Sequence, residues 1–221
     1  MEKTDMGHEI LDNVKLGKNV QIGNFAVLGV PPSKPAIDPP HQGQLIIGDD
    51  SVIRSHSVLY LGSKIGRNFQ TGHGVLVREN NVIGNNVSIG THSVVERENV
   101  IGDGVRIHTK CYIPEFVEIK KKAWLGPGVT ILNVLHPPCP SWEECGKGIV
   151  IGENAKIGGN VTIGPRITIG KNSLIGCGSV VLSDVPNDSV AVGNPAKLVK
   201  KVSELTCDLK LYDIPYEWEG K

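Results

Sequence analysis

An aliphatic residue recurs at every sixth position along most of this 221-residue chain, and no other feature limits the possible fold as strongly. From Ile47 the series runs through Ile53, Leu59, Ile65, Val77, Ile83, Ile89, Val95, Ile101, Ile107, Ile113, Ile119 and Leu125 to Ile131, broken only at Thr71. A shorter array precedes it (Ile10, Leu16, Ile22, Leu28), and another follows it (Ile151, Ile157, Ile163, Ile169, Ile175, Val181). The phase shifts at residues 30–45 and 133–148, which marks both segments as insertions into one continuous array.

A second regularity lies four places after each aliphatic, where Val20, Ala26, Ser51, Ser57, Val87, Ser93, Val105, Val129, Ala155, Val161 and Ser179 recur. Two inward positions per hexad, with Gly, Asn or Asp at the bend, describe a short strand and a corner. Three such strands close a triangular coil of 18 residues, and coils stacked at roughly 4.8 Å make a prism about 40 Å tall. Residues 18 apart then lie one above the other. Asn81 and Asn99 are expected to form an inward amide ladder with Ser63 below and Val117 above. Arg78 is expected to stack with Glu96, and Glu79 with Arg97, as charge compensation between coils. The apolar spacing of Ala196, Val199, Val202 and Leu205 predicts a short helix over residues 195–208. A tail carrying Tyr212, Tyr216 and Trp218 follows and is expected to strap onto a neighbouring coil or subunit. The expected organisation is thus a β-helix domain over residues 1–195 and a helix with tail over residues 196–221.

Charge and composition narrow the partners. Lys plus Arg equal Asp plus Glu at 23 each, so no basic field exists to hold a nucleic acid or an anionic membrane. Glycine is abundant at 27 residues while aromatics make up 5%, in keeping with a turn-rich β fold. No apolar run reaches the roughly 20 residues of a membrane span, and the first fifteen residues lack a signal-peptide core, so a soluble, cytoplasmic protein is expected. The five cysteines are odd in number and lack a scaffold-like spacing, which favours free thiols. Cys111 falls on an inward position. Cys139, Cys145 and His136 with Cys207 could instead offer four soft ligands to zinc, although the spacing is not that of a zinc finger.

The repeat, as in Ile83-Gly84-Asn85-Asn86-Val87-Ser88 and Ile89-Gly90-Thr91-His92-Ser93-Val94, resembles that of the hexapeptide-repeat acyltransferases over about residues 10–200. That resemblance implies an all-β, left-handed parallel β-helix, the usual homotrimer and acetyl-CoA as cosubstrate. The segment Ile175-Gly176-Cys177-Gly178-Ser179-Val180-Val181, with Asp184-Val185-Pro186 and Gly193-Asn194-Pro195-Ala196-Lys197, is similar to the family's C-terminal signature beside the coenzyme groove. By that resemblance Gly158 and Gly176 would let pantetheine lie against the coil, and Lys197 would meet a phosphate. Cys177 stands where the family usually has Ala and reads as a small filler. Asn133 and His136, at the start of the second insertion, resemble the acceptor loop of the nucleotide-sugar N-acetyltransferases. Gly72-His73 with Arg78-Glu79-Asn80, Ile107-His108-Thr109-Lys110-Cys111-Tyr112-Ile113-Pro114 and Pro215-Tyr216-Glu217-Trp218 resemble a subgroup of sugar acetyltransferases. Arg78 is accordingly a candidate for substrate binding as well as for charge compensation.

Four histidines, His56, His73, His92 and His108, fall in successive coils on one strip, at outward or corner positions. His73 lies between two glycines in Thr71-Gly72-His73-Gly74, where the backbone is approachable. An imidazole with an ordinary pKa near 6.5 can take the proton of an attacking amine while main-chain N–H groups stabilise an oxyanion. His73 is therefore the expected base, assisted by His92 or His108, and the first insertion with His41 and its prolines would border the acceptor. The corresponding function is acetyl transfer to an amino sugar carried by a nucleotide. Three alternatives remain: transfer to a hydroxyl, a γ-class carbonic anhydrase, for which no third histidine follows His108 closely, and a scaffold without catalysis.

Overall fold

A computed structural model describes residues 7–33, 43–211 and 215–216. Each hexad forms a strand of two or three residues and a corner, and the chain winds as the left-handed parallel β-helix that the family resemblance implies. Three sheets result. Among the described residues the first face has nine strands, from Glu9–Ile10 to Val180–Val181, and the second has eight, from Val14–Leu16 to Thr168–Ile169. The third has ten, starting at Gln21–Ile22. Partners are 18 residues apart, as in Val82 with Val100 and Ser88 with Arg106. The register jumps from Val27 to Val58 and from Val117 to Ile149, which places the two insertions where the phase shifts.

In a strand such as Val82–Ile83 the second residue turns inward. The aliphatic series from Leu28 to Val181 is accordingly buried, and Phe69, four places after Ile65 at the second inward position, is the largest fully buried side chain. Each such side chain contributes about 1.5–3 kcal/mol relative to exposure. The residue after the inward aliphatic's next neighbours carries the corner in left-handed backbone, with φ of 54° at Asn68, 56° at Asn86 and 57° at Asn154. Asn tolerates that conformation better than most residues with a Cβ. Its amide also links coils: Asn68 donates to Asn86 at 3.0 Å, and Asn172 to Asp188 at 2.8 Å.

The inward Asn81 and Asn99 do stack, but their bonds run from side chain to main chain rather than from amide to amide. The N–H of Asn99 donates to Asn81 Oδ1 at 2.9 Å, and that of Val117 donates to Asn99 Oδ1 at 2.8 Å. Each amide nitrogen turns back to a carbonyl three residues earlier, Arg78 at 2.8 Å and Glu96 at 2.7 Å. These N–H groups look down the stack without a strand partner, and an inward oxygen of the coil below satisfies them. Ser51, Ser57 and Ser93 accept from the N–H of Phe69, Val75 and Cys111 in the same way.

The expected charge pairs form in part. Arg78 meets Glu96 at 3.2 Å. Glu79, however, is turned to Arg78 in a two-pronged contact at 2.8 and 3.1 Å rather than to Arg97. Arg97 instead reaches Glu143 in the second insertion at 3.2 Å and lies against Trp142. Adjacent side chains at the corner reach each other more directly than the stacked pair does.

The predicted helix after Pro195 does not form. Ala196–Lys201 is a strand, antiparallel to Ser189–Gly193, and only Val202–Glu204 makes a single 3-10 turn. The last hexad leaves Leu174–Ile175 with an open sheet edge, and Val190 and Ala191 pair onto it. Residues 196–201 then pair with the free edge of Ser189–Gly193, and those main-chain bonds outweigh an amphipathic stripe that has no surface to cover, so Leu198 and Val199 stay exposed. His41, Tyr212 and Trp218 lie outside the described residues.

Candidate active site

The third face carries a column of glycines, one per coil, at the position after each inward aliphatic: Gly72, Gly90, Gly126, Gly158 and Gly176. A Cβ on Gly72 would stand 2.2 Å from the main-chain nitrogen of Thr91, and one on Gly90 would stand 2.4 Å from that of Thr109. Close coil stacking therefore requires glycine there. Arg54 and His108 interrupt the column and project from it. Between them Gly72 and Gly90 leave a notch of about 320 Å³, flanked by Gln70, Ser88 and Arg106 on one side and His73 and Thr91 on the other. None of the lining residues is acidic.

Two imidazoles face this notch in different environments. His73 is exposed, and its Nδ1 is 2.8 Å from Ser55 Oγ in the coil below, so the hydroxyl fixes the ring and leaves Nε2 for a substrate. Its main-chain N–H donates to Thr91 Oγ1 at 3.2 Å. His108 is half-buried, packed edge-on against Trp124 with ring centroids 4.7 Å apart. Its Nε2 is covered and has no hydrogen-bond partner among the described residues. Burial, and then the Arg106 guanidinium, hold its pKa below the usual histidine value, so the ring is neutral near pH 7. The hydroxyl of Ser93 anchors the turn beneath it, donating to the His108 carbonyl at 2.8 Å. Arg54 is braced too: its main-chain N–H donates to Thr71 Oγ1 at 2.8 Å and its guanidinium to the Thr71 carbonyl. Thr71, the polar break in the aliphatic series, thus supports the floor of the notch.

His108, at the edge of the notch, packs against Trp124, which lines a second hollow higher on the same face. That apolar groove, about 420 Å³, runs over Gly158 and Gly176 between Trp124, Leu174, Cys177 and Tyr216. Val192 packs on Gly176 at its upper end and is paired with Lys197 across the terminal hairpin. The two glycines singled out in the sequence line this groove, whereas Lys197 does not line it and is exposed on the terminal hairpin.

The remaining candidates separate. His56 and His92 are corner residues with φ of 62° and 57°, and His92 lies against Gly74, where a Cβ would meet its Nδ1 at 2.8 Å. Neither lines the notch. Arg78, Asn133 and His136 gather near a different corner, between the first and second faces. Arg78 is held by Glu79 and Glu96 over the Tyr60 ring, Asn133 donates to Glu115 at 3.0 Å, and His136 is exposed. Burial raises the Glu96 carboxyl against the opposing pull of Arg78. The four-ligand zinc arrangement does not assemble: among the described residues no three His, Cys, Asp or Glu converge, and Cys139 and Cys145 contact each other instead. Cys111 is core, at 2% exposure, and burial pushes its thiol up. Ser55, Arg54, Arg106 and Trp124 had not stood out as site residues, although the two breaks in the glycine column are legible in the sequence.

Residues 148–183 match the family described as bacterial transferase hexapeptide (six repeats). A stretch of 84 residues, 37% of the chain, is 49% identical to a 2,3,4,5-tetrahydropyridine-2,6-dicarboxylate N-acetyltransferase of Clostridium botulinum and covers 32% of that protein, so this match spans about a third of the relative's length. The solved structure of LpxA from Acinetobacter baumannii is 20% identical with a TM-score of 0.55, over 86% of this chain and 71% of that one. A GDP-perosamine N-acetyl transferase from Caulobacter crescentus, solved with CoA and GDP-perosamine, is 18% identical over 71% of this chain and 84% of that one, with a TM-score of 0.39 that carries no argument. The three-sheet prism of stacked hexads and the match at residues 148–183 make this chain similar to the hexapeptide-repeat transferases.

Proposed function

We propose that the protein is an acyl-CoA-dependent acyltransferase that acetylates the amine of a sugar carried by a nucleotide. The observation that carries this reading is one face with two hollows linked by the His108–Trp124 contact: an apolar groove over Gly158 and Gly176 and a cationic notch holding His73 and His108. Pantetheine fits the groove and brings its thioester to Trp124, with Lys197 on the terminal hairpin as a point charge for a phosphate. The acceptor enters the notch, where Arg54 and Arg106 meet its phosphates with no carboxylate to repel them. His73 Nε2 takes a proton from the amine as its nitrogen attacks the thioester carbonyl, with Ser55 holding the opposite ring edge. The tetrahedral intermediate collapses, the coenzyme thiolate leaves, and the proton follows it, giving an acetamide and free coenzyme A. The partial match to a dicarboxylate N-acetyltransferase also supports an amine acceptor, and the two arginines would suit carboxylates as well. In this reading the enzyme acts in the cytoplasm.

Calorimetry with acetyl-CoA tests the reading most directly. Binding is expected, and none at millimolar concentration would favour a scaffold without catalysis. His73→Ala is expected to lower kcat by about 10²–10³-fold with acetyl-CoA KM little changed. A variant that keeps most of its activity would mean that the amine arrives deprotonated and that His73 only orients it. Product analysis with paired amino- and hydroxy-sugar nucleotides and with an amino dicarboxylate then separates the acceptors.

A further inference from the structure

We propose that Cys139 and Cys145 form a dithiol–disulfide pair which, when oxidised by a low-molecular-weight disulfide such as oxidised glutathione, clips the second insertion onto the β-helix at Arg97. The two Sγ atoms lie 2.7 Å apart, and both residues are half-buried, so a small oxidant can reach them. No third ligating side chain joins them among the described residues, which leaves thiol chemistry rather than metal binding. The other cysteines sit elsewhere: Cys111 in the core, Cys177 on the third face and Cys207 beyond the terminal hairpin.

The pair brackets the one turn of α-helix among the described residues, Trp142–Cys145. Four residues are far too few to hold a helix by their own hydrogen bonds. Docking holds it instead. The Arg97 guanidinium lies 4.9 Å from the Trp142 ring centre and 3.2 Å from Glu143, while Phe116 packs 6.0 Å from Trp142. Such a small contact can open readily, and a covalent loop closure removes the open states. Asn133 and His136 belong to the same insertion, so its ordering reaches the acceptor-loop residues.

The step is thiol–disulfide exchange. The Cys139 thiolate attacks one sulfur of oxidised glutathione and releases one glutathione thiolate. Cys145, whose thiol is pushed up by its contact with Cys139, gives up its proton and attacks the mixed disulfide at Cys139. The Cys139–Cys145 bond forms, the second glutathione leaves, and the two electrons lost by the protein reduce one disulfide to two thiols.

The full chain, incubated with millimolar oxidised glutathione and quenched in acid, provides the test. Within residues 123–147 the titratable thiols are expected to fall from two to none, with exposed Cys177 followed separately in its own peptide. Trypsin cuts after Lys122 and Lys147, so both cysteines lie in one peptide, 123–147, expected to be lighter by about 2 Da and to resist alkylation. Hydrogen exchange across residues 141–146 is expected to slow at least about tenfold in the oxidised protein, as local opening is suppressed. Cys139→Ser and Cys145→Ser should each take a single glutathione adduct and show no slowing. Alkylation of both Cys139 and Cys145 after treatment, stable glutathione adducts on either of them in the wild type, or unchanged exchange in the bridged form would overturn the proposal.

Discussion

His108 shows how one residue acquires a property that its type alone does not confer. It interrupts a column otherwise reserved for glycine, so its ring is pressed against Trp124, with Arg106 nearby and one nitrogen covered. Protonation is opposed both by burial and by the guanidinium. Its NMR titration midpoint is therefore expected below that of an unfolded-state histidine, about 6.5. The unfolded chain then binds the proton more readily than the folded one, so this residue's contribution to stability is present above the unfolded pKa and is lost as pH falls below it. His108→Gln should flatten that part of the stability–pH curve, and an unchanged curve would contradict the assignment. Asn99 offers a second residue-scale expectation. Asn99→Ala leaves the buried N–H of Val117 without its acceptor at 2.8 Å, and urea unfolding should report a loss of roughly 1–3 kcal/mol.

At the scale of the elements, strands and corners were legible because most hexads carry an inward aliphatic and a left-handed corner, often Asn, Asp or Gly although His56, His92 and Phe116 also adopt it. Both insertions were legible as shifts of phase. The stacking requirement gives an expectation about the glycine column. Gly90→Ala puts a Cβ 2.4 Å from the nitrogen of Thr109 and 2.5 Å from the His108 carbonyl carbon. Forcing the coils apart should cost about 1–3 kcal/mol and lower the melting temperature, whereas Gly7→Ala, which meets nothing within 4 Å, should leave it unchanged. The terminal segment was misread because helical spacing at Ala196, Val199, Val202 and Leu205 is a local signal. The competing partner is Ser189–Gly193, which docks on the open edge at residues 174–175 and offers its own free edge to residues 196–201, and that pairing won.

At the scale of the whole molecule, equal numbers of acidic and basic residues leave no long-range field, so any attraction for an anionic cosubstrate is local, at Arg54, Arg106 and Lys197. Several outward aliphatics remain exposed along the prism, among them Val82 at 43% and Val100 at 48%, stacked on the second face. Light scattering of the purified protein should accordingly give three times the 23.7 kDa chain mass, as the trimeric reading requires, and a monomer would refute it.

The sequence by itself determined the coil: period, three faces, stacking partners, inward residues and the phase breaks, because a repeat specifies each unit through contacts that recur every 18 residues. It also singled out His73, His108, Gly158 and Gly176. Only the tertiary structure decided that Arg54 and His108 bound a notch, that Trp124 links His108 to a groove, that Glu79 turns to Arg78, and that two thiols in the insertion touch. Those outcomes depend on the direction side chains take once the coils are stacked. Stacking fixes backbone positions to a period, but the reach of an arginine or the tilt of a tryptophan is settled by whichever neighbour lies within a few ångströms.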